Sequence, residues 1–167
     1  ELATAQAMNL TLEADKVQAA NLAAEKHMSN VAWYGYTTAN ASGQLTQVNG
    51  FLNQTGVTVV TAQYNWATAT IEQVLSDFNK SLADATNQFD GDASIEPDTY
   101  ILASNQYSNL ANRIVADSGG KTFLDWVTEK NIFATQGKPL TIRGSGRGNG
   151  KGTANADRSI IYRRDPS

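Results

Sequence analysis

The sequence predicts an α+β protein: a long N-terminal helix, then a small central mixed sheet flanked by helices. Three observations carry this. Residues 2–33 contain neither Gly nor Pro and are rich in Ala, the residue with the strongest intrinsic helix preference. Residues 71–89 repeat apolar side chains at helical intervals. Short apolar or β-branched runs then alternate with further helical segments, which is how strands read in a mixed fold.

In chain order, the first element is a helix over Leu2–Trp33. Met8, Leu12, Val17, Leu22, Met28 and Val31 approximate a stripe, with Ala19, Ala20, Ala23 and Ala24 as small packing positions. At 1.5 Å per residue, about 30 residues make a rod of roughly 45 Å, longer than a small domain is wide. Such a helix is expected to lie against something beyond this chain, and Gly35 is expected to end it. Residues 35–56 read as a connector rich in Gly, Asn, Thr and Ser that contains Gly50-Phe51-Leu52-Asn53. Val57–Val60 reads as a strand, with Gln63–Trp66 as its exit.

The next helix spans Thr70–Phe89. Ile71, Val74, Leu75, Phe78, Leu82, Ala85 and Phe89 form its apolar face. Thr70 and Gln73 fit a capping box, and Asp90-Gly91-Asp92 is a stop signal. Thr99–Ala103 reads as a buried strand. Ser104 is expected to cap a helix carrying Tyr107, Leu110 and Ile114, ended by Gly119-Gly120. Thr122 opens a shorter helix with Phe123, Leu124 and Val127. Pro139–Arg143 and Ser159–Arg163 are strand candidates, and between them lies the glycine-rich loop 144–152. Its glycines lift side-chain restraint from the backbone, so mobility is expected there.

Composition narrows the chemistry. The chain has 167 residues, one domain's worth, no Cys and one His, His27. Disulfides, thiolate metal sites and cysteine nucleophiles are excluded. Charged residues are only 17%, while Asn and Gln number 25, so the surface is neutral-polar. Residues 1–136 carry a net charge of −8 and residues 137–167 a net charge of +5. A basic tail on an acidic body fits contact with the acidic body of a neighbouring copy, and nucleic acid is the competing partner. No apolar run approaches the roughly 20 residues of a membrane span. The chain begins at Glu1, so its native N-terminus is expected to lie upstream.

The motifs that carry chemistry fail one by one. In the glycine loop Gly150-Lys151 is followed by Gly152 where a phosphate-binding loop needs Ser or Thr, and Ser145 stands where its first Gly belongs. Asn149 replaces the third Gly of a dinucleotide fingerprint. The run from Asp90 lacks the sixth-position Gly of a calcium loop and has Ile101 in place of the closing Glu. No catalytic residue, cofactor or metal site is expected. The candidate functional residues are charges: Arg143, Arg147 and Lys151 are expected to meet Asp90, Asp92 and Glu96 of a neighbouring copy should the chain form a ring of subunits.

The order of elements resembles the Hong-Kong-97-type capsid fold of tailed phages and the related encapsulin shells. Leu2–Trp33 looks like the spine helix of the family's peripheral domain, and Gly50-Phe51-Leu52-Asn53 like its Gly-Leu-Leu-Asn-type segment. Trp66, the Thr70–Phe89 helix and Pro97-Asp98-Thr99-Tyr100-Ile101-Leu102 are similar to its tryptophan–helix–"Pro-x-Thr-hydrophobic" run. Ser159–Arg163 resembles the strand that re-enters the peripheral domain. The resemblance implies a spine helix at 1–34, a connector at 35–56, an axial domain at 57–158 and a returning strand at 159–167. The family's N-terminal arm, extended loop and later peripheral strands have no counterpart here, which implies a piece of a longer protein. It further implies a non-enzymatic major capsid protein that assembles with copies of itself into pentamers and hexamers. These would enclose DNA without sequence-specific binding, in a virion built in the bacterial cytoplasm, with no membrane partner. An encapsulin-like compartment, or a nucleotide- or nucleic-acid-binding domain using the basic loop, are the other readings the residues leave open.

Overall fold

The structure is a computed structural model that describes residues 2–39, 45–57, 59–88 and 96–164. The chain divides into two compact units, Glu1–Gly56 and Val57–Ser167.

The first unit holds α1 (Leu2–Tyr34), β1 (Tyr36–Ala39) and β2 (Leu45–Val48). The two strands pair antiparallel, Tyr36 opposite Val48 and Ala39 opposite Leu45, so the expected connector contains a hairpin ribbon. From residue 13 to residue 28 every side chain of α1 is exposed, including Val17, Leu22 and Met28. The helix ends as its sequence requires. Gly35 takes φ of +75°, the left-handed conformation that favours glycine at a helix C-terminus. A Cβ there would stand 2.2 Å from the Val48 carbonyl oxygen, and one on Gly50 would stand 2.2 Å from Gly35 N. That close approach lets the Phe51 and Leu52 N–H groups donate to the Ala32 and Trp33 carbonyls at 2.8 and 2.9 Å. Asn53 adds Nδ2 to the Tyr34 carbonyl at 3.1 Å. The Gly50-Phe51-Leu52-Asn53 segment is therefore the cap of α1, with Leu52 buried and the Phe51 ring edge-on to Trp33.

The second unit is built on α2 (Ile71–Asn87), β3 (Thr99–Ala103), α3 (Ser104–Asn112), α4 (Phe123–Lys130), α5 (Ile132–Thr135), β4 (Thr141–Ser145) and β5 (Ile160–Tyr162). The sheet order is β4-β3-β5, with β4 parallel and β5 antiparallel to β3, which makes the sheet mixed. Helix α2 starts with the expected capping box between Thr70 and Gln73 and buries Ile71, Val74, Phe78 and Leu82. These pack with Tyr100, Leu102, Leu110, Phe123, Val127 and Phe133 in one core, where the Phe78 and Tyr100 rings stack at 4.6 Å. The expected Phe89 end of α2 and its Asp90-Gly91-Asp92 stop lie outside the described residues.

Three sequence expectations are corrected here. Val57, Val59 and Val60 belong to no strand, and Val57 and Val59 are exposed; β-branching favours extended backbone but does not supply a neighbouring strand. Helix α3 stops at Asn112, because Arg113 turns extended and its guanidinium donates to the Trp66 and Ala69 carbonyls at 2.6 Å each. Ile114 consequently leaves the helix, bridges Thr122 and is exposed. Ser104 is the first helical residue of α3 and not its cap. The strand at the end of the chain, β5, is the antiparallel edge of this unit's own sheet.

Candidate inter-subunit contact region

The basic residues singled out by the sequence sit on and after an edge strand. Arg143 lies in the middle of β4, opposite Ile101, and is exposed. Past Ser145 the chain makes a 3-10 turn over Gly146–Gly148, opened by the Ser145 side chain accepting from Arg147 N at 3.3 Å. Arg147 is half-buried in that turn and Lys151 is exposed beyond it.

The loop is fastened, contrary to the mobility expected of its glycines. Gly148 is buried, and a Cβ on it would stand 2.0 Å from the Arg158 carbonyl oxygen. In return Arg158 N donates to the Gly148 carbonyl at 2.8 Å. Asn149 reaches the start of α3: its Nδ2 donates to Ser104 Oγ at 2.7 Å and its Oδ1 accepts from Asn105 N at 3.4 Å. The Asp157 carboxylate accepts from Gly150 N at 3.0 Å, Gln106 Nε2 at 3.3 Å and Asn105 Nδ2 at 3.5 Å. Gly152 N closes the turn on the Ala156 carbonyl at 2.7 Å. Glycine here permits close packing, and side-chain acceptors then remove the freedom it brought. Sequence reasoning missed Asn149, Asp157 and Ser104 as members of one knot. The alternation of glycines was the available signal for Gly148, but partners 44 and 51 residues apart leave no local trace.

The acidic residues fare differently. Glu96 accepts an ion pair from Lys138 at 2.7 Å within the same chain and is half-buried. Asp90 and Asp92 lie outside the described residues. Because Thr99 pairs with Thr141 and Ala103 with Ser145 in parallel, the Glu96–Lys138 pair sits before one end of the β3–β4 ladder and the basic loop after the other. Four residue steps at about 3.3 Å separate those ends by roughly 13 Å.

Among the described residues no group of three or more His, Asp or Glu stands together as a metal would require. A shallow groove of about 470 Å³ runs between Val59–Thr61 and Lys80, Asp84, Asn87 and Gln88. The glycine loop leads through a distorted 3-10 turn at Thr153–Asn155 into β5, not into an α-helix, so the α-helix N-terminus that holds phosphate in nucleotide-binding loops is missing from its place. His27 is exposed on α1 with its ring edge-on to Tyr36.

The mixed sheet with its flanking helices and the long helix of the first unit recur in the fold of a solved phage capsid chain. The chain is similar to a chain of the capsid of Myoviridae phage XM1, with a TM-score of 0.70 and 14% identity over 91% of this chain. The model of the major capsid protein family matches residues 1–167, and the chain belongs to that family. It spans about half, 48%, of the phage XM1 chain. No curated protein matches it. The resemblance drawn from Trp66, the α2 helix and the Pro97–Leu102 run thus holds at the level of family and fold. Among the described residues no helix is long and apolar enough to cross a membrane.

Proposed function

We propose that the chain is the shell-forming part of a tailed-phage major capsid protein, joined to copies of itself in pentamers and hexamers of an icosahedral head. The head would form in the bacterial cytoplasm, persist as the virion shell and enclose DNA without reading its sequence. Its role is to supply shape and charge, with no reaction to catalyse. The observation that carries this reading is the separation just described. Arg147 and Lys151 stand past one end of the β3–β4 ladder and Glu96 before the other, which supports a contact between one copy's basic loop and the next copy's acidic end. Contacts between unlike surfaces close into rings when the rotation between neighbours is right. The acceptors would be Asp90, Asp92 and Glu96, of which Glu96 already pairs with Lys138 in its own chain.

Each solvated ion pair contributes only about 0–1 kcal/mol, so a single change will do little. Reversing Arg143 and Lys151 to Glu together, with Arg147→Glu added in a second variant, is expected to weaken assembly of the complete protein into capsomers. The loss should be greatest at low salt, where screening is least. Light scattering and negative-stain microscopy read the outcome. Reversal of Asp90 and Asp92 to Lys in the same background should recover part of it. Intact assembly together with lost DNA retention would replace this reading with the nucleic-acid one.

A further inference from the structure

We propose that Asn149–Gly150 is a latent site of spontaneous covalent modification, held shut in the native fold by Asp157 and Ser104. An Asn followed by Gly leaves the next backbone nitrogen without a side chain to shield it. When the loop opens, Gly150 N gives its proton to a solvent base and attacks Cγ of Asn149. The new N–Cγ bond closes a five-membered succinimide, the Cγ–Nδ2 bond breaks, and Nδ2 leaves with an added proton as ammonia. Water then opens the ring at either carbonyl, giving aspartate or isoaspartate. One water enters, one ammonia leaves, and nothing is oxidised or reduced.

Three features of the fold oppose the first step. The Gly150 amide proton is held by the Asp157 carboxylate at 3.0 Å, so the nitrogen is kept in its un-nucleophilic form. The leaving nitrogen is fixed on Ser104 Oγ at 2.7 Å. The ψ of Asn149, 125°, turns Gly150 N away from Cγ, and rotation about that bond is blocked while Gly148 and Gly152 remain fastened to Arg158 and Ala156. The two products also differ. Aspartate keeps the acceptor that Asn105 N uses and places a negative charge at the start of α3, where the helix dipole favours it. Isoaspartate adds a backbone carbon between two fastened glycines and cannot keep the knot. Either product sets a carboxylate between Arg147 and Lys151 in sequence.

The sequence contains one other Asn-Gly pair, Asn49–Gly50, which serves as an internal reference. There Gly50 N donates to Asn53 Oδ1 at 2.6 Å, independently of Asp157. The test incubates the 167-residue chain in warm, mildly alkaline buffer for days and follows both sites by peptide mass spectrometry and isoaspartate labelling. Conversion at Asn149 should be at least about tenfold faster in urea than in the folded chain. Asp157→Ala should raise it by about tenfold, the scale of one lost charge-assisted hydrogen bond, while Asn49 keeps its rate. Equal rates at Asn149 in folded and urea-unfolded wild type, or in wild type and folded Asp157→Ala, overturn the proposal. If circular dichroism shows that Asp157→Ala fails to fold, Ser104→Ala decides. A several-fold rise at Asn149 supports the latch, and an unchanged rate refutes it. The shell reading does not enter this test, so each can fail alone.

Discussion

The Asp77 carboxylate accepts the Trp66 indole N–H at 3.1 Å within the core, and it also takes the backbone N–H groups of Gln63 and Tyr64 at 3.0 and 2.9 Å. One buried carboxylate on α2 thus organises the turn that precedes the helix, while Arg113 holds the same turn from its carbonyl side. Asp77→Ala leaves three donors without their acceptor. The expected loss is on the order of 3 kcal/mol, read as a fall in the urea midpoint with an unchanged slope. Asp77→Asn, which keeps one acceptor oxygen, should lose distinctly less.

Gly148 and Gly146 provide a matched pair two residues apart. A Cβ on Gly148 meets the Arg158 carbonyl oxygen at 2.0 Å, whereas one on Gly146 has Ser104 Oγ as its nearest neighbour at 3.9 Å. Gly148→Ala should therefore destabilise by about 1–3 kcal/mol, the range for overpacking. Gly146→Ala should stay within about 0.5 kcal/mol of wild type. Thermal melts of the two variants side by side check this, and equal melting temperatures would show that the loop yields freely.

Burial pushes the Tyr100 phenol up from 10.0 to about 12, against the opposing hydrogen bond from Ser81 and with a smaller push from Asp77. Its neutral form is favoured by the fold. Below pH 10 folded and unfolded chains both hold this proton, and the stabilisation is fully present. Between about pH 10 and 12 the unfolded chain releases it first, so stability falls as pH rises. Tyr100→Phe should remove this share of the alkaline loss. Tyrosinate absorbance in a pH titration should show one fewer late-ionising group in the variant.

Asp98 supplies the acid-side counterpart. Its carboxyl is held below the ordinary Asp value of 3.8, chiefly by the Thr99 hydroxyl, against some desolvation and with help from the Arg164 N–H and the charges of Arg164 and Arg163. Stability from this group is complete above the unfolded value and is lost as pH falls through the lower, folded one. Asp98→Asn should flatten the melting temperature below pH 4 relative to wild type. A parallel acid decline in both would assign the loss to other carboxylates.

What the sequence made legible depended on how far apart the determining residues stand. Helix α2 and its Thr70–Gln73 box, the β3 strand and the Thr122 start of α4 were readable, because periodicity and capping act within a few residues. The end of α3 was not, because Arg113 is drawn away by carbonyls more than 40 residues earlier. Val57–Val60 carries strand-forming residues without a ladder to join, which propensity alone cannot reveal. For the site, the basic residues were visible as charge. Their fastening by Asn149 and Asp157 and the engagement of Glu96 by Lys138 were hidden, since all of these are long-range pairings.

The pairing of β3 also sets a timetable for the chain. Both of its neighbours follow it in sequence, β4 from Thr141 and β5 from Ile160, and the acceptor for Asn105 N comes from Asn149. A nascent chain that has emerged only to residue 140 holds a central strand with no hydrogen-bonded neighbour, however complete its helices are. Closure of the sheet must wait for residues 141–162, the longest-range contacts being made last. Folding of the second unit therefore finishes only once β5 has left the ribosome, and the basic loop between β4 and β5 is fastened only after the helices that precede it have been made.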